Sequence, residues 1–264
     1  MRWELTILGV RGSMSVCTED TARYGGNTTC CVLRRGEDTL LLDAGTGLCR
    51  MQPDKRMHLL LSHSHMDHLL GIPVFSGFYD PEGEITVYGP DWEGRSIREQ
   101  VDCFLRPPLW PVTAEVFRAK TEFRGISPER PLQLGGFTVQ AMPVCHPGAT
   151  YAYRISAGGR SLVFATDAEL DAEDEAFLRF ARDCDLLLID GQYTREELPK
   201  KRGWGHSAME DSALLGKLCG AGSTVLIHHA PERKDAELDA LLPGIQAINP
   251  RACFGRELDR YILE

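Results

Sequence analysis

The 264-residue chain lacks any apolar run fit to cross a bilayer: stretches such as Leu59 to Leu61 and Leu186 to Ile189 fall far short of the roughly 20 residues a membrane helix needs. The opening Met1-Arg2-Trp3-Glu4 has no signal-peptide core, so a cytoplasmic protein without membrane partners is expected. There is no Cys-x-x-Cys pair. The nine cysteines are odd in number and scattered, which argues for buried reduced thiols against a disulfide framework or a cysteine zinc site. Basic charge is also short. Twenty-nine Lys and Arg against 38 Asp and Glu leave a formal charge of −9 with no lysine-rich insertion, so no long nucleic acid is expected as a partner. No internal linker or low-complexity stretch divides the chain, and residues 1–264 are read as one domain.

What is present is an ordinary globular composition, 43% hydrophobic and 25% charged, which excludes disordered, collagen-like and coiled-coil chains. At 29.4 kDa the folded surface should be roughly 11,500 Å², small enough to enclose a sizeable core. Short β runs appear at Trp3 to Leu8, Cys30 to Leu33, Thr39 to Leu42, His58 to Leu61, Ile85 to Tyr88, Phe137 to Val144, Tyr151 to Ile155, Ser161 to Ala165, Leu186 to Ile189, Thr224 to Ile227 and Leu258 to Leu263. Helices are expected near Ser96 to Leu105, from Asp171 to Asp183, after Ser207 and from Asp235 to Leu242. Ser207 with Glu210 three residues on forms a capping-box signature. The pattern suggests packed sheets with helices outside rather than regular βαβ alternation. Pro107 to Pro111, with Leu109 and Trp110, forms an irregular apolar excursion that reads as a lid, a dimer contact or a loop folded on its own core.

The chemistry concentrates after the fourth run. Ser62-His63-Ser64-His65-Met66-Asp67-His68 places four ligand-type side chains within six residues at a strand end. In an extended backbone His63, His65 and Asp67 share one side, and His68 begins a different turn, which suits two neighbouring metals. Imidazole and carboxylate donors favour zinc, manganese or iron. His146, Asp167 and His228 also follow β runs, and their joint placement at strand ends makes them the remaining ligand candidates. His229 should point away from its neighbour and act behind the ligands. Arg11, Asn27 and nearby glycines fit either a phosphate contact or the shaping of turns, and are not assigned a catalytic role. His206 precedes the expected cap Ser207, at a helix N-terminus whose free N–H groups attract an anion, so it is read as meeting a substrate phosphate.

The motif His63-Ser64-His65-Met66-Asp67-His68, with His146, Asp167 and His228 downstream, resembles the metallo-β-lactamase superfamily over nearly the whole chain. Gly9-Val10-Arg11-Gly12-Ser13, Arg23-Tyr24-Gly25-Gly26-Asn27-Thr28, Asp43-Ala44-Gly45-Thr46-Gly47, Gln192-Tyr193-Thr194 and Gly203-Trp204-Gly205-His206-Ser207 look like its bacterial phosphodiesterase-like branch, close to tRNase Z and phosphoribosyl cyclic phosphodiesterase. The resemblance implies an α/β fold, a four-layered αβ/βα sandwich with the site at one edge of two packed sheets, and often a homodimer. It also implies His63, His65 and His146 on one metal, Asp67, His68 and His228 on the other, Asp167 bridging, and His206 near the leaving group.

The expected function is that of a hydrolase using two divalent metal ions, zinc first with manganese or iron as alternatives. An oxygen nucleophile shared by the ions would attack phosphorus, oriented by Asp67, while His206 protonates the departing oxygen. Without a basic arm for tRNA, a small cyclic nucleotide or sugar phosphodiester fits best. A thioesterase or lactonase of the same fold is the alternative, and a non-catalytic metal-binding sensor is a third reading.

Overall fold

Runs of consecutive apolar residues become strands buried on both faces, with alternate side chains serving different layers. The computed structural model describes residues 2–264. Strands β1 (Trp3–Gly9), β2 (Cys30–Arg35), β3 (Asp38–Leu42), β4 (Arg56–Leu60), β5 (Glu84–Gly89) and β6 (Lys120–Gly125) come first, with helix α1 (Ile97–Phe104) between β5 and β6. Then come β7 (Leu132–Leu134), β8 (Phe137–Val144), β9 (Thr150–Ala157), β10 (Arg160–Ala165), β11 (Leu186–Asp190), β12 (Ser223–Ile227) and β13 (Ala252–Phe254). Helices α2 (Glu175–Phe180), α3 (Met209–Leu218) and α4 (Asp235–Ile248) fill the links from β10 to β13, and β14 (Arg260–Leu263) closes the chain. The two sheets have the orders β14-β1-β2-β3-β4-β5-β6 and β13-β12-β11-β10-β9-β8-β7.

Three cores follow from the alternation. Leu40, Leu42, Leu60, Leu162, Phe164, Leu186, Leu188, Val225 and Ile227 pack between the sheets. Their neighbours Val163, Ala165, Leu187, Ile189 and Leu226 face α2, α3 and α4, while Leu41, Leu59 and Leu61 face α1 on the other side. This is the four-layered αβ/βα sandwich. Cys30 and Cys31 are split between layers by the same alternation, and all nine cysteines are free. The accessible surface of 11815 Å² matches the value expected from mass. No described helix is long and apolar enough to cross a membrane.

Strand direction gathers the site. β3, β4 and β5 are parallel, and β1 shares their direction because β2 lies antiparallel between β1 and β3. In the second sheet β10, β11 and β12 are parallel, and β8 runs with them because β9 opposes both. The segments after β1, β3, β4, β5, β8, β10, β11 and β12 therefore emerge along the carboxyl ends of same-direction strands, where open α/β sheets hold their ligands.

Several expectations change. From Arg160 to Phe254 the chain is a βαβ alternation, β10-α2-β11-α3-β12-α4-β13 with four parallel strands, and the antiparallel β7, β8 and β9 and the first sheet depart from it. β6, β7 and β13 escape the sequence pattern because they are sheet edges, short or polar, where one-sided pairing relaxes the apolar requirement. The stretch Asp171 to Asp183 shortens to six helical residues because Asp174 caps it, accepting from Phe177 N at 2.8 Å. Helix α4 continues past Leu242 to Ile248 with Pro243 inside it. Ser207 is not a cap: α3 starts at Met209, and the Ser207 hydroxyl instead donates to Ala168 O (2.5 Å) and accepts from Leu170 N (2.9 Å). Glu210 accepts from Arg195 N, so no capping box forms. In the excursion after α1, Trp110 packs on the α1-side core while Leu109 stays exposed.

Phe137 is fully buried between the sheets, edge-on to Trp3 at 5.2 Å. Phe137→Ala should lower unfolding free energy by about 3–5 kcal/mol through the cavity it leaves. Urea denaturation should show the midpoint falling with an unchanged m value.

Candidate metal centre

The segment after β4 does not stay extended. His65 caps a 3₁₀ turn over Met66–His68, so Asp67 leaves the side shared by His63 and His65. That corrects the expected grouping of His63, His65 and Asp67. Donor atoms of His63, His65 and His146 lie within 4.8 Å of one another, and so do those of Asp67, His68 and His228. His68, starting the different turn expected of it, joins the second set. It turns inward, with Nε2 3.2 Å from Asp67 Oδ2 and 3.3 Å from Asp167 Oδ2. Asp167 lies between the sets, its Oδ1 3.1 Å from His228 Nε2 and 4.0 Å from His146 Nε2. All seven expected donors thus meet at one edge, with His65 the most exposed of them.

Four of the five imidazoles are oriented from behind. His68 Nδ1 donates to Asp43 Oδ2 at 2.7 Å, and His146 Nδ1 donates to Gly205 O at 2.9 Å. Ser62 Oγ gives its proton to Asp43 Oδ2 and so must accept from His63 Nδ1 at 3.0 Å. Thr29 Oγ1 donates to Arg11 O and likewise accepts from His228 Nδ1 at 2.8 Å. The network therefore leaves the Nε2 lone pairs of four histidines facing the centre. Asp67 Oδ2 accepts from the backbone N of Ser13 at 2.8 Å.

These residues fit divalent cations. The Nε2 atom of His63 is buried without a hydrogen-bond partner, a costly arrangement for a core but the required one for a ligand. His65 Nδ1 and His146 Nε2 sit 3.1 Å apart. Tetrahedral ligands about 2.0–2.1 Å from zinc would be roughly 3.3 Å apart, close to the donor spacings here. Burial pushes His63 well below the ordinary imidazole range and lowers His65 and His146. Burial opposes charge on His68 too, but Asp67, Asp167 and Asp43 outweigh it and raise its pKa well above the ordinary value. Asp67 and Asp167 keep their carboxylates ionised, because His68 and His228 overcome the burial cost. A cation competes with the His68 proton for the same carboxylates and lone pair.

His206 stands beside this cluster for a different reason than a helix dipole. With the helix starting at Met209, its imidazole is held by Asp190 instead, Nδ1 to Oδ2 at 2.8 Å, and stacks over His228 with centroids 5.3 Å apart. Burial opposes its charge, yet Asp190, with Asp167 and Asp67, pushes it up to about 9. His229 faces away, packed on Tyr24 and Phe254 and bonded to Gly255 O at 3.0 Å, with burial pushing it down to about 3. It is its backbone that serves the site, receiving Gly12 N at 2.9 Å. Arg11 is buried and binds the carbonyls of Gly25, Ala230 and Arg233, and Asn27 binds Glu257, so both shape turns and neither is free for phosphate.

Asp43, Thr29, Ser13 and Asp190 are functional positions that the sequence reading did not assign. Asp43 and Asp190 carried a usable signal, a carboxylate ending an apolar run as Asp167 nearly does. Asp43, Asp167 and His228 have φ of 57°, 54° and 63°, a left-handed conformation uncommon for such residues and concentrated here at strand ends. Two glycines are dictated by space. A Cβ on Gly12 would lie 2.3 Å from His228 Cδ2, and one on Gly205, where φ is +87°, would lie 1.8 Å from His146 Nδ1.

Asp43→Asn keeps the volume and removes the charge behind His68, so divalent-cation affinity should fall about 10–100-fold with circular dichroism unchanged, read by competition with a chromophoric chelator. Gly205→Ala should likewise release metal by displacing His146, whereas Gly244→Ala, with open space around its Cβ, should retain it.

Comparison with known proteins agrees with this architecture. The chain is 25% identical over 254 residues to the probable metallo-hydrolase YhfI of Bacillus subtilis, covering 89% of this chain and 92% of that protein. The crystal structure of YhfI superposes with a TM-score of 0.75 over 99% of both chains at 20% identity. A ribonuclease Z of Bradyrhizobium diazoefficiens is 23% identical over 278 residues, covering 86% of this chain and 87% of that one. The structure of a diphosphatase from the PhnP family matches with a TM-score of 0.75 at 17% identity, covering 99% and 98% of the two chains. The family model described as the beta-lactamase superfamily domain matches residues 38–229, nearly three-quarters of the sequence, and the chain belongs to that superfamily.

Proposed function

We propose that this protein is a metal-dependent hydrolase of small phosphodiesters, cyclic or linear, of nucleotides or sugars. The observation that carries the reading is the pair of donor sets with Asp167 between them and a carboxylate-held imidazole, His206, at their border. His63, His65 and His146 would hold one divalent cation and Asp67, His68 and His228 a second, with Asp167 between them. Zinc suits the donors first, and manganese or iron are the alternatives. Bound cations would supply Lewis acidity, lowering the pKa of water and taking up charge on phosphoryl oxygens.

The chain's own residues do the rest. Asp67, pinned through one oxygen by Ser13 N, orients the attacking water with the other. His206 has its Nδ1 committed to Asp190, which leaves Nε2 to give a proton to the departing oxygen. Second, a phosphoryl substrate suits the named relatives, a ribonuclease and a diphosphatase, better than a carbonyl one. A formal charge of −9 and a cleft of about 150 Å³ beside His63 and His65 favour a small substrate over a long nucleic acid.

Metal-loaded protein should release nitrophenol from bis(p-nitrophenyl) phosphate and stop after chelation. Turnover confined to thioesters or lactones would move the chemistry from phosphorus to carbonyl, and no metal-dependent turnover of any ester would favour a sensor. His206→Ala at full metal content should lower kcat about 10²–10⁴-fold on a phosphodiester with an alkoxide leaving group. It should cost much less with nitrophenolate, which leaves without a proton. An equal loss on both substrates would remove His206 from the acid role.

A further inference from the structure

Beyond the donors, the cleft next to His63 and His65 is walled by Trp92, Pro147, Gly148 and Ala149, with Ser64 at its floor. Apart from the two histidines these residues carry no ionisable side chain, so recognition on this side rests on shape and apolar contact. Trp92 is 40% exposed. The other three tryptophans are engaged: Trp3 with Phe137, Trp110 with Phe104, and Trp204 under the Lys201 ammonium at 4.2 Å. Among the described residues no aromatic ring or cation pairs with the Trp92 face.

The wall is tied to the donors. Trp92 and Arg95 exchange both backbone hydrogen bonds, at 3.0 and 2.8 Å, around Glu93 and Gly94, whose φ of 47° and 75° make a tight hairpin turn. Gln100, buried on α1, donates to Pro90 O at 2.9 Å and Arg95 O at 3.2 Å, and accepts from Ser64 Oγ at 2.7 Å. One side chain therefore links the Trp92 turn to the residue between His63 and His65. The backbone that carries the indole is thereby fixed beside the donors before a flat partner binds.

We propose that Trp92 stacks the nucleobase of a nucleotide substrate whose phosphodiester reaches the histidine and aspartate cluster, which makes Trp92 a specificity-determining residue. This rests on the phosphodiesterase reading above and narrows it to nucleotides. Stacking needs only a π face, and the small neutral walls add no hydrogen-bond code, so purines should bind more tightly than pyrimidines without further discrimination.

The test compares adenosine 2′,3′-cyclic phosphate with the base-free methyl riboside 2′,3′-cyclic phosphate on wild type, Trp92→Ala and Trp92→Phe. Trp92→Ala should raise KM for the adenosine compound about 5- to 150-fold with kcat little changed, and Trp92→Phe should recover most of the loss. The base-free compound should be handled alike by all three. Equal effects on both compounds, or none on either, would overturn the proposal. A second measurement needs no turnover: adenosine titrated into the protein should shift the indole N–H resonance that Trp92→Phe removes. A shift without any phosphodiester hydrolysis would support the aromatic subsite while sinking the phosphodiesterase reading, and a silent resonance would overturn the subsite itself.

Discussion

The buried carboxylate of Asp43 is the constraint on which the site turns. It accepts from Ser62 N, Ser62 Oγ and His68 Nδ1, and through the Ser62 hydroxyl it reaches His63 Nδ1. One acid therefore sets the proton position on a histidine of each donor set. Its left-handed backbone is unfavourable for aspartate by itself, and these charge-assisted hydrogen bonds hold it there. The two sheets meet at this point, since Asp43 follows β3 while the partners of His68 on the far side, Asp167 and His228, follow β10 and β12.

Electrostatics gives the same centre its affinity. Asp43, Asp67, Asp167 and Asp190 are all buried, a concentration of negative charge that a protein interior does not hold without compensation. These carboxylates favour the charged forms of His68 and His206, pushing both imidazoles up. Divalent cations would supply that compensation more completely, and would satisfy the Nε2 atom of His63, which has no hydrogen-bond partner. Asp190 answers His206 separately, through Nδ1.

The central strands were legible because they are buried on both faces and so read as unbroken apolar runs. The edge strands β6, β7 and β13 were not, because an edge is stabilised by one neighbour and tolerates polar residues such as Lys120, Glu122 and Arg124. The candidate donors were legible as a set through their joint placement at the ends of apolar runs, although Asp43, Asp190 and His229 end such runs in other roles. The partition among donors was not derivable from strand periodicity, because the backbone leaves the extended state at His65.

By itself, then, the sequence determined which residue types could bind a cation and that they sit where strands end, since composition and alternation are local properties of the chain. Only the tertiary structure decided that His68 turns inward, that Ser207 braces a loop instead of capping α3, that His206 answers to Asp190, and that Asp43 and Thr29 stand behind the ligands. Each of those contacts joins residues 16 to 199 positions apart, and separations of that size are set by sheet packing, which no local pattern encodes.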